Sequence, residues 1–289
     1  MEGIMPAMKY DTYSQYDSAH TGLAERAFLT VWASLSQWHN SLVLVGGMVP
    51  KYLCGDISGV RTLPRPATLD VDFGIALAAD SGQYGNLFWE LGGQGFHPNP
   101  DHPSRFEKVI GAFTVPVDFL VEKPPLTRGS AQVEDITASV MPGVERALAT
   151  ARRVSVEGID LHGAEQKLTA RVCEVGPFLA LKLRAFRDRQ QPKDAFDILY
   201  TVLHYDGGLD AAVAAFAEEV HLANPACADA LRSLDEHFVN ETSPGPAKAS
   251  HFVLGDILPG ESSDTRYLRT CIRQDMVDVA MRLRKATIH

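Results

Sequence analysis

Leu69-Asp70-Val71-Asp72-Phe73-Gly74-Ile75-Ala76 (LDVDFGIA) decides how the rest of the chain reads. Its polar and apolar residues alternate, which predicts a strand with Asp70 and Asp72 on one face and Val71 and Phe73 on the other. Two carboxylates two residues apart on one strand face are natural oxygen ligands for Mg²⁺. That ion takes one or two carboxylates plus substrate phosphates rather than a complete protein cage. Taken alone, an Asp-x-Asp is more often the solvated face of an edge strand, so its flanks carry the argument.

Upstream, residues 41–45 (SLVLV) form a short apolar run ended by Gly46-Gly47. This suits a buried strand that turns into a short helix over 48–53. A double glycine at such a turn exposes backbone N–H groups to a phosphate, and only glycine allows so close an approach. Downstream, 105–110 (RFEKVI) and 112–121 (AFTVPVDFLV) predict a hairpin with Gly111 near its turn. Asp118 stands alone in the second apolar run, where a lone acid is costly unless something pairs with it. A metal would do so. A third carboxylate on a neighbouring strand would let two ions bind, about 3.5–4 Å apart. Arg105 opens the strand beside Asp118; it either reaches a phosphate or base, or pairs with an acid, and the sequence leaves both open.

Further out, 21–39 places Leu23, Ala27, Val31 and Leu35 about one helical turn apart, which predicts an amphipathic helix. Residues 1–20 read as a loosely held arm and 55–66 as a loop. A helix is expected over 82–92, a polar connection over 123–133, and a hairpin of 152–161 with 168–175 around His162-Gly163. Two helices follow, over 178–189 and 192–204, because Pro192 is tolerated as a first helical residue and not in mid-helix. Gly207-Gly208 and the SPGP at 243–246 mark later breaks. The fold class is α/β. A core over 21–175 carries a small mixed sheet, and a mostly helical domain spans 176–289.

The 289 residues are 45% apolar and 22% charged, near the globular average, which excludes disordered, collagen-like and coiled-coil chains. The length suggests about two domains and a large core without disulfide or metal staples. With 27 Lys and Arg against 36 Asp and Glu, the net charge of −9 argues against a general polyanion binder. A local basic patch remains open, and 182–193 supplies one, with five basic residues and one acid. Lys182, Arg189 and Lys193 fall broadly on one side of a helix, although Pro192 interrupts the register. Such cations suit a triphosphate that faces three carboxylates. The plainer reading is a solvated basic face, to which Arg184 and Arg187 are assigned, with Asp194 and Asp197 stabilising the next helix N-terminus.

Four dispersed cysteines without a C-x-x-C pair read as thiols in a reducing compartment. The N-terminus has no apolar h-region, and the longest apolar stretch, 42–49, is too short to span a bilayer. The expected location is therefore cytoplasmic, without membrane contact. His97 and His102 lie in a Pro-rich loop without ligand spacing. No HExxH, G-x-S-x-G, GK[ST] or G-x-G-x-x-G is present.

Gly46-Gly47, TLDVDF at 68–73 and PVDFL at 116–120 together resemble the signature of the DNA polymerase-β-like nucleotidyltransferase superfamily. Residues 179–202 (LALKLRAFRDRQQPKDAFDILYTV) resemble the helical Lys-x-x-Ala…Arg…(Arg/Lys)-Asp-x-x-Asp block of the AbiEii-type nucleotidyltransferases. These are toxins of bacterial type IV toxin–antitoxin and abortive-infection systems. The resemblance covers most of 40–205. It implies a polymerase-β-like core in which Asp70, Asp72 and Asp118 bind Mg²⁺ (or Mn²⁺) and, with Lys182 and Asp194, form the catalytic set. Gly46, Gly47, Thr68, Arg105 and Lys193 are the implied nucleotide-binding residues. The implied activity moves a nucleoside monophosphate from an NTP to an acceptor, a tRNA 3′ end or a protein, with a cognate antitoxin as partner. Two features depart from the family pattern: 22 residues separate Gly47 from Asp70, and Lys193 stands where Arg is usual. The alternatives are a small-molecule, aminoglycoside-type nucleotidyltransferase, which −9 favours for a cationic substrate, and a non-catalytic nucleotide-binding module.

Overall fold

The structure is a computed structural model that describes residues 10–77 and 86–288. In chain order the first elements are α1 (Ser18–Ser34), β1 (Leu42–Val45), α2 (Pro50–Leu53), β2 (Val71–Ile75) and α3 (Leu87–Gly93). Then come β3 (His97–Pro98), β4 (Arg105–Ile110), β5 (Phe113–Val121), β6 (Ser130–Val133), β7 (Ile136–Val140), α4 (Val144–Ala149), β8 (Arg152–Ile159) and β9 (Glu165–Val172). The rest is helical: α5 (Val175–Arg189), α6 (Pro192–His204), α7 (Leu209–His221), α8 (Cys227–His237), α9 (Pro244–Leu254) and α10 (Ser263–Ala286). The molecule is thus mixed α/β, and it divides into two compact units.

The first unit comprises Asp17–Val49 and Thr68–Glu174. Its mixed sheet has the order β3-β4-β5-β2-β1-β9-β8, with β7 joined to β5 and β6 to β7. The β1–β2 pair is antiparallel, whereas β2 runs parallel to β5 and β1 parallel to β9. Strand β2 is buried at four of its five positions, which explains the apolar run that follows Asp72. On the sheet lies α1, whose Phe28 and Trp32 approach Phe73, with Phe119 stacked beyond at 5.9 Å. All four side chains are fully buried, each contributing about 1.5–3 kcal/mol.

The second unit comprises residues 10–16, Pro50–Ala67 and residues 175–288. Helix α5 packs on α7 and α8, α6 on α9, and α9 on α10. Tyr13 and Tyr16 meet Phe252 edge-on, and Phe252 lies 4.8 Å from Phe196. Residues 50–67 are tied in at several points: the Gly55 N–H donates to the His204 carbonyl at 3.0 Å, and Arg61 Nε donates to Asp275 Oδ2 at 2.8 Å.

Several elements differ from the sequence reading. Of the expected arm over 1–20, residues 1–9 lie outside the described residues. Residues 10–16 pack on the helical unit through their tyrosines, and α1 starts at Ser18 because the Asp17 side chain accepts from Ala19 N and His20 N. The expected helix over 82–92 starts at Leu87, with 82–85 outside the described residues. The connection over 123–133 contains β6, paired with β7 through a turn at Glu134, so the sheet is larger than expected. In 130–140 the buried positions are Ala131, Val133, Ile136, Ala138 and Val140, a period-two signal that the polar surroundings masked. Among the described residues no helix is long and apolar enough to cross a membrane, and all four cysteines are free thiols.

Candidate functional site

Four strands of the first unit place one row of residues side by side. Asp72 on β2 is in register with Asp118 on β5, and Asp118 with Arg105 on β4. On the other side Asp72 faces Val45, the last residue of β1. Registered residues project from the same face of a sheet, so the row brings two acids and one arginine together. Asp70 enters from the residue before β2, one alternation away from Asp72. One carboxylate oxygen from each of Asp70, Asp72 and Asp118 lies within 4.8 Å of the others.

Each acid is held differently. The Thr68 hydroxyl donates to Asp70 Oδ1 at 2.5 Å, and Thr68 and Asp70 are both nearly buried. Thr68, an implied nucleotide-binding residue, therefore stands behind Asp70 and orients it. Beside Asp72 the chain turns through Gly46 with φ +74°, and a Cβ there would lie 1.8 Å from Asp72 Oδ2. The glycine is required twice over, for a left-handed backbone and for room beside the carboxylate. Gly47 follows in a short 3₁₀ turn and is buried.

Asp118 is held by charge. Arg105 Nε donates to Oδ1 at 2.9 Å and Nη2 donates to Oδ2 at 2.7 Å, a two-point pairing of fork with carboxylate. The bond to Asp118 raises the Arg105 pKa; burial opposes this, and the charges of Asp118, Asp70 and Asp72 add to the rise. Of the two roles left open by the sequence, the structure displays the ion pair.

The donor set fits a hard divalent cation. All three ligands are carboxylate oxygens, the chemistry that suits Mg²⁺ or Mn²⁺. Two oxygens on opposite sides of one Mg²⁺ stand about 4 Å apart, and the triad's oxygens lie within 4.8 Å of one another. Three like charges so near one another also repel, and a cation relieves that repulsion.

The helical unit gathers a second constellation. Lys182 Nζ donates to Asp197 Oδ2 at 2.7 Å and to Asp194 Oδ1 at 3.1 Å. Lys193 Nζ donates to both oxygens of Asp197, at 3.0 and 2.7 Å, and Arg189 forks onto Asp194 at 2.6 and 2.8 Å. Asp197 is fully buried, and Lys182, Lys193 and Asp194 nearly so. Burial by itself would lower the Lys182 pKa; the charges of Asp197 and Asp194 outweigh it, and the ammonium stays protonated well above its usual range. Pro192 as first residue of α6 makes this possible, because it restarts the helix with Lys193, Asp194 and Asp197 turned toward α5. Arg184 and Arg187, assigned to a solvated face, instead pair with Asp229 of α8 at 2.9 and 3.1 Å. Helix packing decides that contact, and no local spacing signals it.

The structure thus brings Gly46, Gly47, Thr68, Asp70, Asp72, Arg105 and Asp118 together in the first unit. It gathers Lys182, Lys193 and Asp194 in the second. Arg189, grouped by the sequence with Lys182 and Lys193 as a phosphate-facing cation, instead closes the ion network on Asp194, five residues further on. No family model matches the chain, and no curated protein matches it at a significant level of similarity.

Proposed function

We propose that this protein is a metal-dependent nucleotidyltransferase that moves a nucleoside monophosphate from an NTP to an acceptor hydroxyl. The observation that carries this reading is the acidic triad, with Asp72 and Asp118 in register across β2 and β5, Asp70 just ahead of β2 and the Gly46 turn alongside. In the reaction the acceptor oxygen bonds to the α-phosphorus, the bond from that phosphorus to the β-phosphate oxygen breaks, and pyrophosphate leaves. The acceptor proton passes to Asp118. Asp70, Asp72 and Asp118 would hold Mg²⁺ or Mn²⁺, which supplies charge neutralisation at the phosphates. The Gly46-Gly47 turn offers backbone N–H groups to the same phosphates. Thr68 fixes the angle of Asp70, and Gly46 leaves the space that Asp72 occupies.

The resemblance to AbiEii-type toxins extends the proposal to a tRNA 3′ end or a protein side chain as acceptor, and to a growth-inhibiting role with a cognate antitoxin. In that reading Lys182 and Asp194 belong to the catalytic set and Lys193 to the nucleotide-binding residues. Incubation with each NTP, labelled at the α-phosphate, in the presence of bulk RNA or cell lysate tests the reading. Label on RNA or protein supports it, and label on a small molecule selects the aminoglycoside-type alternative. No transfer from any NTP in the presence of Mg²⁺ or Mn²⁺, or undiminished turnover in excess EDTA, would overturn it.

A further inference from the structure

Asp70 accepts from the Thr68 hydroxyl, and Asp72 lies against Gly46. Asp118 is gripped through both oxygens by the Arg105 guanidinium. A divalent ion bound by the triad needs an oxygen of that same carboxylate. The two cations compete, and their like charges disfavour simultaneous occupation at close range.

The geometry points to Arg105 as a built-in counter-ion that holds Asp118 until a cation and a nucleotide arrive together, so that the site loads both as one complex. This inference rests on the metal reading above and concerns the order in which that site fills. Arg105 releases Asp118 to the incoming ion and turns its fork to the phosphate that accompanies it, exchanging one oxyanion partner for another. Arginine is suited to both, because its planar fork matches carboxylate and phosphate alike. The ion alone would leave the released guanidinium without a forked oxyanion partner, whereas the ion with its polyphosphate provides one.

Exposure supports exchange. The side chains of Arg105 and Asp118 retain 22% and 16% of their accessible surface, so solvent and ligand reach the pair. The Lys182–Asp197 pair, at 8% and 0%, is closed by comparison and has the character of a permanent bond. The position is also fixed by the fold, since Arg105 and Asp118 are directly opposed on β4 and β5.

The test is Mn²⁺ binding to the full chain, read as free Mn²⁺ by electron paramagnetic resonance, with and without a non-hydrolysable NTP analogue. Wild type should bind Mn²⁺ alone weakly and gain about tenfold or more in affinity with the analogue, a coupling of ordinary size. Arg105→Gln should bind Mn²⁺ alone about tenfold more tightly than wild type and lose most of the nucleotide-dependent gain. Arg105→Lys keeps the charge without the fork and should fall between the two; it carries the test if Arg105→Gln does not fold. Folded Arg105 variants that bind Mn²⁺ alone no more tightly than wild type, while Asp72→Asn abolishes binding, would overturn the counter-ion and leave the metal site standing. Absence of Mn²⁺ binding in wild type under both conditions would overturn the metal site itself, and the counter-ion with it.

Discussion

At Gly46 two constraints coincide, a left-handed backbone and a carboxylate where a side chain would begin. Gly59 shares the first constraint, with φ +81°, and among the described residues has nothing within 4 Å of its would-be Cβ. Gly59→Ala should therefore cost only the conformational term, about 1–2 kcal/mol. Gly46→Ala should cost clearly more and also weaken Mn²⁺ binding, because it displaces Asp72. Chemical denaturation of both variants checks this; equal losses would mean that the Gly46 turn does not constrain the acid. The acids themselves divide in the same way. Asp72→Asn removes one of three mutually repelling charges, so the metal-free thermal midpoint should stay level or rise while transfer and Mn²⁺ stabilisation are lost. Asp118→Asn strips Arg105 of its forked partner and should lower that midpoint. A sharply lowered metal-free midpoint for Asp72→Asn, with its ligand response intact, would make the triad a structural device.

Between elements, α5 and α6 are joined by an ion network rather than by apolar contacts alone. It combines Lys182, Lys193 and Arg189 with Asp194 and Asp197, and most of its members are shielded from water. Removing one partner from such a group leaves a buried charge uncompensated, which costs about 3–5 kcal/mol. After Lys182→Ala, Asp194 keeps Arg189 and Asp197 keeps Lys193, so the loss by urea unfolding should lie at or below the lower end of that range. Arg184→Ala should cost less, because Asp229 keeps Arg187 and Arg232 as partners. Under the proposed function Lys182→Ala also weakens NTP use beyond its effect on stability, whereas Arg184→Ala does not. Measuring both at a temperature where each variant is folded separates the two effects, and equal, mild losses in both assays would reduce the α5–α6 face to scaffolding.

At the scale of the molecule the chain crosses between its two units four times within the described residues, at 16–17, 49–50, 67–68 and 174–175. The insertion 50–67 packs over the end of α6, where His204 is nearly buried. Burial lowers the His204 pKa from its ordinary value of 6.5, against weaker opposition from the Arg61 and Gly55 backbone and the Asp56 charge. The folded protein therefore binds this proton less readily than the unfolded chain. Above pH 6.5 both states are neutral at this site. As pH falls below 6.5 the unfolded state takes up the proton first, so stability is lost progressively until the pH has passed below the folded value. His204→Leu, close in size and without a titrating group, should flatten the fall in stability between pH 7.5 and 5.5. An unchanged slope in denaturant titrations would assign the acid sensitivity elsewhere.

Alternation in LDVDFGIA, the double glycine after an apolar run, and the lone acid in FTVPVDFLV were enough to place Asp72 and Asp118 on neighbouring strands, with Asp70 one residue ahead of the first. Side-chain direction in a strand follows from a period of two, and a buried acid must find a partner. The hairpin at Gly111, the hairpin at His162-Gly163 and the helix restart at Pro192 were legible for the same reason, since each rests on backbone rules that act over a few residues. What the partner of Asp118 is could not be read locally: it depends on β4 and β5 pairing so that Arg105 falls opposite the acid and not one residue away. The β6–β7 hairpin, the docking of Tyr13 and Tyr16 on Phe252, and the burial of Lys182 with two aspartates likewise depend on surfaces supplied from distant parts of the chain. Local sequence set where the charges sit along each element; tertiary packing decided which of them meet, because a charge takes its partner from whatever the fold brings within about 4 Å and hides from water.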